Sequence, residues 1–75
     1  MIHDDFILSN LARPAALHRY MLDSLANLGL AADKDLTNVI DLAIERSAAH
    51  DNVGTIKAAE ELQSMIRLRL QKQRH

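Results

Sequence analysis

Apolar residues recur along this chain at steps of three and four, the spacing that lines up one face of a 3.6-residue helix. The clearest run is Leu36, Val39, Ile40, Ala43, Ile44 and Ser47, with Thr37, Asp41, Glu45 and Arg46 falling toward water. Ahead of it, Asp33 or Asp35 stands where a carboxylate accepts from the first free N–H groups of a helix and complements the positive end of its dipole. Val39, Ile40 and Ile44 are β-branched and mildly poor helix formers, so burial rather than propensity must hold this segment. The pattern predicts a central core helix over about 35–49.

Leu17, Met21, Leu25 and Leu28 form an earlier stripe, widened by Ala16, Tyr20 and Leu22. Pro14 suits the first turn of that helix, where its missing N–H costs nothing, and Gly29 suits the left-handed residue that closes it. The predicted span is about 14–28, and Leu30–Lys34 is short enough to return the chain antiparallel. Downstream, residues 50–55 group turn formers, with Asp51 and Thr55 both placed as caps. Ile56, Ala59, Leu62, Ile66 and Leu70 then mark a last helix over about 54–72, broadened by Ala58, Met65 and Leu68. That breadth exceeds what one small neighbour covers, so one side is expected within the chain and the other against a second copy. Ile2, Phe6, Ile7, Leu8 and Leu11 predict a short helix over about 4–11, too short to hold alone and expected to cover an apolar groove in its own chain or a partner's.

The expected fold is therefore all-α: a small helical bundle of three main helices plus a short N-terminal one, forming a single domain over residues 1–75. Composition adds a reason to expect a homodimer. A 75-residue chain buries a small fraction of its surface, and with no cysteine it has no disulfide to compensate. Its residues are 48% hydrophobic but only 3% aromatic, so Leu, Ile, Val, Met and many alanines must build the core. Alanines let helices approach closely while burying little each, and self-association is the usual remedy.

A net charge of −1 provides no global field toward nucleic acid or membrane. The charge is uneven, however: Arg67, Arg69, Lys72 and Arg74 fall in a tail without acids, while the preceding residues hold all ten acids against five basic groups. No apolar run approaches the roughly 20 residues of a membrane span, and the first five residues lack the positive region of a secretory signal. A cytoplasmic protein without a membrane partner is expected.

Candidate chemistry is sparse. His3, His18, His50 and His75 form no helical pair at spacing four, and no nucleophile sits with a base, so neither a metal, a cofactor nor an enzymatic activity is expected. His50-Asp51 repeats the dipeptide of the metal-dependent HD phosphohydrolases, whose further ligands on several helices this chain is too short to supply. A turn with an N-cap aspartate explains it more simply. Asp23-Ser24-Leu25 is similar to the attachment tripeptide of acyl carrier proteins, but here the serine lies in the middle of a helical stripe. Leu25–Ile40, with Gly29 in its turn, has the outline of a helix-turn-helix, although Leu25 stands where that motif wants a small residue. Val39-Ile40 through Ile44-Glu45 to Asp51, followed by another apolar helix, resembles small bacterial stress and biofilm regulators of the AriR kind. The similarity covers about half the chain, lies mostly in hydrophobic pattern, implies a dimeric helical protein with a regulatory role, and carries over no functional residue.

The expected function is a non-enzymatic regulatory or adaptor protein acting through helix-mediated protein–protein interaction, with itself and an unidentified protein as partners. Phe6, Tyr20, Met65 and Leu68 are the candidate contact residues, with Met21 beside them, since aromatic anchors concentrate binding energy and methionine adapts to varied surfaces. The alternative is a small dimeric DNA- or RNA-binding regulator using Arg67, Arg69, Lys72 and Arg74. Cations near a helix C-terminus are also stabilising for a purely structural reason, because they face the negative end of the dipole.

Overall fold

A chain whose apolar stripes are separated by short polar connections folds by laying the stripes together, and the computed structural model, which describes residues 4–73, does so with helices alone. In order they are α1 (Asp4–Ser9), α2 (Pro14–Asn27), α3 (Lys34–Ala48) and α4 (Asn52–Gln73). The boundaries follow from capping. Asp33 accepts from the backbone N–H groups of Asp35 at 3.1 Å and Leu36 at 3.3 Å, which makes it, rather than Asp35, the N-cap of α3. Asp51 does the same for α4 by accepting from Gly54 N–H at 2.9 Å, so that helix starts two residues before its expected position. Thr55, the other cap candidate, lies inside α4, fully buried, with its hydroxyl donating to the Asp51 carbonyl at 2.8 Å.

α1 ends two residues earlier than expected, because Asn10 turns its side-chain amide back onto the Phe6 carbonyl at 2.9 Å. Pro14 opens α2 with no side-chain cap before it. α3 occupies the centre, packed against α2 on one side and most extensively against α4 on the other, while α1 rests on α4. Leu17, Met21 and Leu25 from α2, Leu36, Ile40 and Ala43 from α3, and Ala58, Ala59, Leu62 and Ile66 from α4 join in one buried cluster, to which Ile7 and Leu30 add from α1 and the first interhelical turn. Met21 is wholly inside this cluster, which removes it from the candidate contact residues.

Three buried hydroxyls interrupt the apolar interior, and each has an acceptor. Ser24 donates to the Tyr20 carbonyl and Thr55 to that of Asp51, both one turn back, whereas Ser47 donates to the Leu11 carbonyl, 36 residues away. The Ser47 bond ties the α1–α2 connection to the middle of the bundle, a job no apolar residue at that position does. Overall extents are 40 × 22 × 18 Å. The long dimension reflects α4, whose 22 residues span about 33 Å at 1.5 Å each.

Candidate functional site

α4 is the one element long enough to present a continuous outer face. Its buried side is made of Gly54, Thr55, Ala58, Ala59, Leu62 and Ile66, a run of small residues followed by two large ones. The small residues let α4 lie close to α3 at its start. Opposite them, Val53, Lys57, Glu60, Glu61, Ser64, Arg67, Leu68, Gln71 and Lys72 are all exposed, at the three- and four-residue spacing of a single helical stripe. The last helix is thus not apolar all round: Ile56, Met65 and Leu70 complete the inward side as half-buried flanks, and the outer stripe is mixed.

Three large apolar side chains remain exposed among the described residues: Leu8 at 57%, Val53 at 63% and Leu68 at 54%. Leu8 borders a recess of about 280 Å³ between α1 and α4, lined by Ile7, Leu8, Ile56, Ala59 and Glu60. A second recess of about 250 Å³ follows along α4, lined by Glu60, Gln63, Ser64 and Arg67. Glu60 lines both, so the two recesses adjoin along α4 as a trough, the first bordered by α1 and the second by α4 residues.

The expected contact residues divide between interior and surface. Phe6 and Tyr20 stack on one another, with ring centroids 4.0 Å apart and 23° between planes, and both are half-buried where α1 meets α2. Met65 is half-buried against the core, and Leu68 is exposed on the outer stripe of α4. Of these four, Leu68 is the one that presents most of its side chain outward.

The basic tail divides as well. Arg67 and Lys72 are exposed. Arg69 is turned toward the start of α3, where Nε donates to Asp33 Oδ2 at 2.7 Å and an Nη donates to Asp35 Oδ2 at 3.3 Å. The Arg69 hydrogen bond, helped by the Leu36 and Asp35 N–H groups, holds the Asp33 carboxyl below its ordinary pKa against the opposing effect of burial, and Asp33 in turn raises that of Arg69. Arg74 lies outside the described residues.

His18 is half-buried and His50 is exposed, while His3 and His75 lie outside the described residues. No group of three or more His, Cys, Asp or Glu residues among the described residues is arranged to hold a metal ion. No helix among them is long and apolar enough to cross a membrane. Ser24, in the tripeptide similar to a carrier attachment site, is buried with its hydroxyl engaged.

The apolar recess and the Arg69 clamp were beyond the reach of sequence reasoning, since each joins residues from separate elements. The one signal for the recess was Leu8, apolar but adjacent to the Ile7 and Leu11 face rather than on it. No family model matches this chain, and neither a curated protein nor a solved structure matches it.

Proposed function

We propose that this chain is a cytoplasmic, non-enzymatic regulatory or adaptor protein that associates as a homodimer and works through helix-mediated contacts with protein partners. The observation that carries the reading is the trough along α4, bordered by the exposed Leu8, together with the exposed Val53 and Leu68 elsewhere on the same helix. Covering a half-exposed leucine or valine contributes on the order of 1 kcal/mol, so six such side chains across two copies supply about 6 kcal/mol. Association itself costs about 4–15 kcal/mol, so the apolar contacts alone roughly break even at best, and polar contacts along α4 must supply the rest of a concentration-dependent dimer.

The basic tail is the less favoured working surface because Arg69 spends its fork on Asp33 and Asp35, leaving Arg67 and Lys72 as the exposed cations of the tail among the described residues. Light scattering across a concentration series tests the homodimer: the mass is expected to rise from one chain toward two. A mass that stays at one chain to millimolar concentration overturns the reading. Titration with duplex DNA and structured RNA at low salt is expected to give no binding, and binding that weakens steeply with salt would place function in the tail instead.

A further inference from the structure

The exposed stripe of α4 carries charge in an order that is self-complementary in one orientation only. Glu60 and Arg67 both line the second recess, seven residues apart, which is about 10.5 Å along the helix axis. At that separation they do not pair with each other, and neither makes an ion pair with another described residue. Midway between them are Gln63 and the small, exposed Ser64.

We infer that the second copy of this chain docks antiparallel along this trough, with the two-fold axis passing between Gln63 and Ser64. This rests on the homodimer reading above and specifies its register. Glu60 of each protomer then faces the partner's Arg67, giving two equivalent ion pairs, as an isologous interface requires. A parallel arrangement would set Glu60 against Glu60 and Arg67 against Arg67, which like-charge repulsion disfavours. Ser64 beside the axis lets the two backbones approach. Moving outward from the axis by the same count, residues 56–57 of one α4 face 70–71 of the other. The partner's exposed Gln71, beside a Leu70 already packed on its own core, therefore falls near Ile56 at the edge of the apolar recess, so one arrangement reaches both parts of the trough. Complementary charges fix orientation more than affinity, so association is expected to weaken with added salt.

Charge reversal tests the register. In sedimentation velocity at low ionic strength, E60R and R67E are each expected to weaken the dimer about tenfold or more, and the E60R/R67E double variant to return to near wild-type affinity. Glu60, Ser64, Arg67 and Gln73 are all exposed, so the variants are expected to stay helical, which circular dichroism checks. A second readout uses the absence of cysteine: S64C is expected to form a covalent dimer on mild oxidation, whereas Q73C, far from the axis, is not. Single variants that dimerise as well as wild type, a double variant that fails to recover, or a cross-link at 73 and not at 64 would overturn the register while leaving the homodimer standing. A wild-type chain monomeric at every concentration overturns both.

Discussion

The turn that enters α3 and the turn that leaves the same helix share a backbone plan but are filled by different residues. After α2, Leu30 N–H donates to the Leu25 carbonyl at 2.8 Å and Gly29 N–H to that of Ala26 at 3.1 Å, with Gly29 at φ +74°. After α3, Asp51 N–H donates to the Arg46 carbonyl at 2.9 Å and His50 N–H to that of Ser47 at 3.0 Å, with His50 at φ +60°. Both are Schellman closures, and each leads to an aspartate that caps the next helix. Glycine takes the left-handed conformation without steric cost, whereas a residue with a Cβ incurs roughly 1–2 kcal/mol there. The second turn therefore starts at a disadvantage, and its surroundings make up for it. Arg46 reaches over to donate to the Gly54 carbonyl at 3.1 Å, and Asp51 accepts from Gly54 N–H, so local side chains brace it from both helices. The first turn is braced from a distance, by Arg69 at the far end of α4.

Glycine substitutions separate the two designs most sharply. A Cβ on Gly54 would lie 2.2 Å from Asp51 Oδ2 and 2.8 Å from Arg46 Cδ, displacing the cap and the arginine together. Gly54→Ala is expected to destabilise the fold by about 2 kcal/mol, even after the gain of about 1 kcal/mol in helix propensity, as read from urea unfolding. The same change at Gly29 meets nothing within 4 Å, so its cost is that of the left-handed backbone alone, about 1 kcal/mol. Equal losses at the two sites would show that sterics at Gly54 are relieved without losing the brace. His50→Gly is expected to run the other way, raising stability by about 0.5 kcal/mol because strain relief exceeds the added unfolded-state entropy. A loss there would mean that the histidine side chain makes a stabilising contact.

The remaining difference between the turns is one of pH. Because Arg69 holds Asp33 below its ordinary pKa, the stability this pairing contributes is present above the unfolded carboxylate value and is lost as pH falls below about 4. Asn also caps helices well, so Asp33→Asn keeps the N-cap while removing the charge. Thermal unfolding between pH 2 and 6 is expected to show a shallower acid limb for this variant than for wild type. Superimposable limbs would show that the Arg69 pairing does not contribute. The same pairing bears on function: an arginine that closes the bundle by joining α4 to the start of α3 is withdrawn from the basic patch that the tail suggests on paper.

Helix number, order and the inward stripes of α2 and α3 were legible in the residues themselves, because a period of 3.6 and the stereochemistry of Pro14, Gly29 and the capping aspartates are local properties of the chain. Local pattern was weaker at α4, where small residues, turn formers and leucines on several sides blurred both the start of the helix and its outer face. Which of Asp33 and Asp35 caps α3, that Ser47 holds the Leu11 carbonyl, and that Arg69 faces inward were decided only when distant segments met. Leu8 and Ile56 acquired a shared recess in the same way. Periodicity tells which side of a helix avoids water, but partners and cavities depend on the distances between helices, and these are set by how all the side chains pack at once.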